Sequence, residues 1–212
     1  MGYLILILML LFSYLAGSIP TAYIITKIVK GTDIRKYGSG NPGATNVFRS
    51  VSRTAGVLTL LVDFLKGLLT VHAVISITGR HPAPATSLTT LWTHLPLIAG
   101  AVSILGHTFS VWLNFNGGKG VATGAGVIVS LAPVVGLIGI AVFSSVFALT
   151  RYVSLGSIIA AACVAAVCLY NTLSGRDPSL INIVLVLFGA LVILRHKDNI
   201  KRLLNGTESR IR

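Results

Sequence analysis

Lys119 lies in the run Asn116-Gly117-Gly118-Lys119-Gly120 and is the one charged side chain between Arg80 and Arg151. An ammonium with apolar sequence on both sides is expensive to leave without a counter-charge. Glycines beside it leave the backbone free to turn N–H groups toward the same point, so loop and lysine together read as a site for an anion. The run is not a P-loop: the upstream glycine is missing, and Gly120 stands where a Ser or Thr would hold magnesium. A second role for these glycines is helix packing, since Gly120 and Gly124 are four apart.

Other segments carry the same chemistry. Tyr37-Gly38-Ser39-Gly40-Asn41-Pro42-Gly43-Ala44-Thr45-Asn46 offers glycines, hydroxyls and amides that can wrap a phosphate; the plainer alternative is a solvated turn. Arg49 and Arg53 follow, on one face if 46–53 is a helix. His107, near the end of an apolar stretch, is either a base or anion donor, or a histidine that satisfies a backbone carbonyl. Arg151, Ser154 and Ser157 recur at three-residue spacing where another helix opens, with Ser154 as its N-cap. In the tail, Ile200, Leu203 and Leu204 form an apolar stripe suited to a membrane interface, while His196 and Asn199 are three apart and can face a site. Asp63 and Lys66, also three apart, read as a structural ion pair inside a helix.

The elements that position these groups follow from composition. Of 212 residues 54% are hydrophobic and only 10% charged, with a formal net charge of +12. So little charge implies an all-α, polytopic membrane protein. The basic residues lie beside apolar segments with no interleaved aromatics, which fits membrane anchoring and anionic ligands and excludes nucleic acid. Cys163 and Cys168, five apart, point to different helical faces and form neither a bridge nor a metal pair. Residues 2–25 read as a retained first span, because no positive charge precedes Lys27 and the apolar run outlasts a signal core. Further apolar stretches cover about 54–79, 93–113, 121–149, 155–173 and 180–194.

Lys27, Lys30, Arg35, Lys36, Arg49 and Arg53 crowd the first link, and Arg195, Lys197, Lys201, Arg202, Arg210 and Arg212 crowd the tail. By the positive-inside rule both are cytoplasmic and the N-terminus is outside. That requires residues 121–149 to cross an even number of times. Pro133 supplies the break, with a helix over 121–131 too short to span alone. The expectation is seven helices, with the links 30–53, 114–120 and 150–154 and the helix N-termini after them turned to the cytoplasm; the alternative is six, with Arg151 outside. One domain over 1–212 with a cytoplasmic amphipathic tail over 195–212 completes the layout.

Five motifs in order resemble the bacterial acyl-phosphate-dependent glycerol-3-phosphate acyltransferases, the PlsY family. They are Gly17-Ser18-Ile19-Pro20, Gly38 to Asn46, Gly106-His107 with Gly117-Gly118-Lys119-Gly120-Val121-Ala122-Thr123, Arg151-Tyr152-Val153-Ser154-Leu155, and Arg195-His196 followed by Asn199-Ile200 and Arg202-Leu203-Leu204. The likeness covers nearly the whole chain; Asn116 departs from it, since a lysine often precedes the glycine pair. The resemblance implies a bacterial inner-membrane enzyme with its active site facing the cytoplasm. It moves a fatty acyl group from acyl phosphate to the 1-hydroxyl of sn-glycerol 3-phosphate, and it needs neither cofactor nor metal. By motif position Ser39, Gly40, Arg49, Lys119 and Ser154 hold phosphate, and His196 and Asn199 contact glycerol 3-phosphate. The same motifs place Asn41, Thr45, Asn46, Gly117, Gly118, Gly120 and Arg151 among the binding residues and His107 among the catalytic ones. The residues themselves suit two anionic phosphates, because Asp33, Asp198 and Glu208 are the only acids assigned to the basic side. Apart from substrates and bilayer no partner is implied, and the oligomeric state is left open with a monomer as one option. A transporter of a phosphorylated anion is the competing reading, since a proline-broken helix suits transport too.

Overall fold

The structure, a computed structural model, describes residues 2–81, 89–177 and 179–211. Among these residues every regular element is a helix, and the chain divides into two compact units that meet in sequence between Leu131 and Ala132. Most of the link expected around 80–92 lies outside the described residues.

The first unit opens with α1 (Gly2–Ser18) and α2 (Thr21–Lys30). The span expected over 2–25 corresponds to one membrane-length stretch, Tyr3–Lys30, whose helix is interrupted at Ile19-Pro20. Proline lacks an N–H and steers the residue before it out of the helical region, so the ladder stops for two residues and restarts. After a 3-10 turn at Ile34–Lys36 come α3 (Ala44–Ser50), α4 (Arg53–Arg80), α5 (Thr89–Thr93), α6 (Leu95–Thr108) and α7 (Val121–Leu131). α4 packs against α7 and α6, and α1 against α6. Apolar association is a weak driving force between helices surrounded by lipid, so close backbone packing must hold them. Gly67 and Gly126 provide it: a Cβ on Gly67 would overlap the Thr123 carbonyl, and one on Gly126 the Phe64 carbonyl. This pair brings the backbones of α4 and α7 together. Leu6, Met9, Val74, Trp92, Leu95 and Ala99 form the main core; Ala22, Ile34, Val47 and Ala55 form a smaller one joining α2, α3 and α4.

The span expected over 93–113 corresponds to the stretch Leu95–Leu113, within which α6 ends at Thr108. The chain then makes a 3-10 turn at Val111–Leu113, and Asn114 and Phe115 take left-handed backbone, with φ of 52° and 60°.

The second unit contains α8 (Pro133–Thr150), α9 (Val153–Leu173), α10 (Leu180–Arg195) and α11 (Lys197–Leu204). α8 starts on Pro133 itself, at the break anticipated from that proline. α9 packs against both α8 and α10, burying Val164, Cys168, Leu185 and Val192. α11 turns away from α10 by 57°. Its Ile200 and Leu203 are half-buried, and Leu204 is exposed.

By length and composition five helical stretches among the described residues can cross a membrane, or six if bent α10–α11 counts as one. α7 has 11 residues and, at about 16 Å, falls short of a bilayer core. Large apolar side chains such as Leu4, Ile7, Leu60, Leu69, Val134, Leu137 and Leu187 stay exposed on these helices, as lipid contact requires.

Candidate active site

In the first unit, the loop between Ile34 and α3 is organised by one side chain. Asn46, 3% exposed, donates through Nδ2 to the carbonyls of Tyr37 (2.9 Å), Asn41 (3.1 Å) and Ile34 (3.3 Å). Its Oδ1 accepts from the Ser39 N–H and the Ser50 hydroxyl, both at 3.2 Å. Every polar atom of Asn46 is thus engaged within the loop, a different position from the substrate contact expected of it. Gly38 and Gly40 have φ of 55° and 70°, so the tight curl between Tyr37 and Asn41 depends on residues without a Cβ. A side chain on Gly38 would also overlap Asn46 Oδ1. Within this curl Ser39 is exposed, and Gly40, Asn41 and Thr45 are half-buried.

The loop's surroundings are basic. Lys30 donates to the Ser50 carbonyl at 2.9 Å and lies over the Tyr37 ring. Asp33 is engaged by Arg35 at 2.7 Å; hydrogen bonding from Arg35, partly opposed by burial, holds its carboxyl below the ordinary value. Arg49 sits in the last turn of α3. Ser52 caps the next helix by accepting from Ala55 N–H at 3.1 Å. Arg49 and Arg53 therefore belong to different helices and do not share the single face expected over 46–53. The helix stops where Ser52 offers the backbone a capping bond.

The lysine loop corrects a second expectation. The N–H groups of Gly117 and Gly118 do not point toward a ligand: they donate to the carbonyls of Thr108 (3.0 Å) and His107 (3.1 Å). Both glycines are buried against His107, and a Cβ on Gly118 would overlap its Nε2. They are small because the loop lies on the end of α6. Lys119, half-buried, and Gly120, with φ of 78°, follow at the start of α7. His107 is 8% exposed, with Nδ1 3.7 Å from Asp63 Oδ1. No Ser-His-Asp grouping was visible in the sequence; the structure does bring a carboxylate to His107, yet Gly118 covers the ring's other nitrogen. Asp63 pairs with Lys66 at 2.9 Å, the ion pair expected from their spacing. Pro42 of the first loop and Gly117 and Gly118 of the lysine loop line one small cavity, so the two loops are neighbours.

The second unit contains a cluster of its own. Glu208, 7% exposed, accepts from Ser154 Oγ (2.9 Å) and Asn199 Nδ2 (2.8 Å) on one oxygen, and from Arg202 Nε (2.7 Å) on the other. Burial pushes its carboxyl up, but the bonds from Arg202, Asn199 and Ser154 prevail and hold it below the ordinary range. Ser154 is not the N-cap: α9 starts at Val153 after Tyr152, and no side chain caps it. Its hydroxyl proton is drawn to the carboxylate instead. Arg151 is likewise not on the helix. It ends α8 in left-handed backbone at φ 62°, and its carbonyl accepts from Ile211 N–H at 2.9 Å. His196 is 3% exposed, with Nδ1 2.7 Å from the Val192 carbonyl, so that nitrogen carries the hydrogen. Glu208 and Arg202 are the residues that sequence reasoning left without a role. A carboxylate at Glu208, one of two acids within a strongly basic tail, was the available signal.

An all-α integral-membrane protein with a glycine- and amide-built loop beside a lysine loop, both in basic surroundings, belongs to the class of membrane proteins that handle anionic substrates. The comparisons narrow this. Residues 7–206 match the family model "Glycerol-3-phosphate acyltransferase". Curated glycerol-3-phosphate acyltransferases of Staphylococcus saprophyticus and Geobacter sulfurreducens are 43% and 42% identical, over 99% and 94% of both chains respectively. Two crystal structures of PlsY, an integral membrane glycerol 3-phosphate acyltransferase, superpose with TM-scores of 0.79 and 0.77 at 37% and 36% identity. They cover 98% of this chain and 96% and 95% of theirs; one is the glycerol 3-phosphate form and the other the lysophosphatidic acid form. This chain belongs to the glycerol-3-phosphate acyltransferase (PlsY) family.

Proposed function

We propose that this enzyme transfers a fatty acyl group from acyl phosphate to the 1-hydroxyl of sn-glycerol 3-phosphate, at the cytoplasmic face of a bacterial inner membrane. The products are lysophosphatidic acid and inorganic phosphate, the first step of membrane phospholipid synthesis. The observation that carries the reading is the adjacency of the first loop and the lysine loop, which gives phosphate oxygens a basic, hydroxyl-bearing wall in the first unit. Ser39, Gly40, Asn41, Thr45, Arg49, Lys119 and Gly120 are the phosphate-holding groups there. Asn46, Gly117 and Gly118 shape the two loops from within. In the second unit Ser154, Arg151, His196 and Asn199 take the corresponding contacts. Ser154 has one hydroxyl hydrogen, donated here to Glu208 Oε1, and gives it to a phosphate only by exchanging carboxylate for phosphoryl oxygen.

In the reaction the glycerol hydroxyl oxygen bonds to the acyl carbon, the carbon–oxygen bond to phosphate breaks, and phosphate leaves with the electron pair. Acyl phosphate is already activated, so positioning and charge stabilisation supply the rate. The hydroxyl proton passes to a phosphoryl oxygen of the donor. Burial of His107 and cover of Nε2 by Gly118 support this route over a histidine base. His107→Gln is expected to leave kcat within about tenfold; a fall of about a thousandfold at unchanged KM would make the histidine the base.

Detergent-purified protein given glycerol 3-phosphate and either palmitoyl phosphate or palmitoyl-CoA tests the whole reading. Phosphate release and lysophosphatidic acid are expected with palmitoyl phosphate. Product from palmitoyl-CoA alone reassigns the donor, and labelled glycerol 3-phosphate accumulating unconverted in sealed vesicles replaces acyl transfer with transport.

A further inference from the structure

Asp63 and Lys66 lie within α4, 3% and 8% exposed, and no step of the proposed reaction uses them. Burying an ion pair inside a membrane helix brings little net stability, and apolar residues of similar volume commonly serve as well or better. What the pair touches is more informative. Lys66 Nζ donates to the Ile19 carbonyl at 3.1 Å, in the two-residue gap between α1 and α2. Next to it, Ser110 Oγ donates to the Ser18 carbonyl at 2.6 Å, and Ser18 Oγ donates to the Gly106 carbonyl at 3.2 Å. On its other side the pair reaches His107, 3.7 Å from the shared Asp63 oxygen, and His107 bears directly on Gly118. The cavity enclosed by Asp63, Lys66, His107, Pro42 and the two glycines measures about 10 Å3, room for roughly one water and no substrate. It is the inner face of the lysine loop.

We propose that Asp63 and Lys66 are positioning residues: anchored on the Ile19 carbonyl, they fix the His107 ring and, through it, the height and angle at which the Gly117–Gly120 loop presents Lys119. This rests on the reading of that loop as a phosphate site. It also gives the Gly17-Ser18-Ile19-Pro20 motif a purpose, because the break at Pro20 takes the Ile19 carbonyl out of the helix ladder, where it accepts from both Thr21 N–H and Lys66.

The test is the double variant Asp63→Leu/Lys66→Met, which removes both charges at similar volume and orphans neither. It is assayed beside Lys119→Ala and the triple variant with His107→Gln, in detergent-purified protein with palmitoyl phosphate and glycerol 3-phosphate. The double variant is expected to keep a wild-type thermal midpoint while KM for one of the two phosphate substrates rises about tenfold or more. Adding His107→Gln is expected to bring little further loss, since ring and pair act as one unit. Wild-type KM values with only kcat reduced mark a loss of correctly folded enzyme and overturn the proposal. So do fully additive effects of the histidine change, and so does a double variant that fails to fold, which would make the pair a stability element. If Lys119→Ala remains active, the loop reading itself fails; if Lys119→Ala is inactive while the double variant behaves as wild type, only the positioning role fails.

Discussion

Single residues in this protein divide into those aimed at a ligand and those that hold the aim. In the proposed reading Lys119 belongs to the first group, and its replacement by Ala is expected to lower kcat/KM at least about a hundredfold, with thermal midpoint and elution unchanged. Near-normal turnover of the purified variant removes the lysine from the mechanism. Glu208 belongs to the second, since its carboxylate gathers Ser154, Asn199 and Arg202. A carboxyl whose folded value lies below its unfolded one adds stability above the unfolded value, and that stability is lost as pH falls through the folded value. Thermal midpoints between pH 7 and 3 should therefore drop for the wild type below about pH 4.5, the ordinary value for such a group. Glu208→Gln should start lower at pH 7, by about 1–3 kcal/mol, and show a flatter acid limb. Asp33 is also held below its ordinary value and contributes in the same window, so the difference between the two curves, not the wild-type curve alone, reports Glu208. Parallel curves would mean that the Glu208 cluster is not what the carboxylate stabilises.

At the scale of elements, helix boundaries show how far the sequence could be read. The break at Pro133 was visible because proline acts locally, removing a donor and constraining its neighbour whatever surrounds it. The same physics operates at Pro20, yet the apolar run continued past it and concealed the gap. The stop at Ser52 is a local signal too, an N-cap bonded to Ala55 that the 46–53 reading passed over. A boundary set by tertiary contact was not visible: α6 gives way to the loop after Thr108, where the next backbone folds onto His107. Candidate site residues followed the same rule. Their types and their clustering into loops were legible, but Gly117, Gly118 and Asn46 look like ligand donors in sequence and prove to have hydrogen-bond partners inside the protein. A hydrogen bond that closes a loop, such as Gly118 to His107 or Asn46 to Ile34, leaves no mark in the local pattern of residues. Helix contacts can be tested where the backbones touch. Gly126→Val places a branched side chain against the Phe64 carbonyl in α4, and it should lower stability by about 2–4 kcal/mol or prevent accumulation in the membrane. Gly79→Val is the control, because nothing lies near that position. Equal behaviour of the two would mean that α4 and α7 are not held at the distance seen.

For the whole molecule the proposed sidedness is argued from charge. Six cations over 27–53 and six over 195–212 resist translocation, and the proposed orientation keeps both segments in the cytoplasm. Between them the chain must cross an even number of times, and the count turns on residues 121–150. α7 has 11 residues, too few to cross, and is separated by Ala132 from α8, whose 18 residues suffice. If both enter and leave together, the link at Thr150–Tyr152 is cytoplasmic and seven helices result; if they act as one crossing, that link is outside. Single cysteines at Lys36, Thr150, Ser174 and Asn205, in a background with Cys163 and Cys168 changed to Ala, separate the two. With a membrane-impermeant maleimide, positions 36, 150 and 205 are expected to react only in inside-out vesicles, and position 174 only in intact cells. Reaction of position 150 from outside would reduce the count to six. It would also put Arg151 on the opposite side of the membrane from the basic first link, and the proposed phosphate contacts of Arg151 and Ser154 would fall with it.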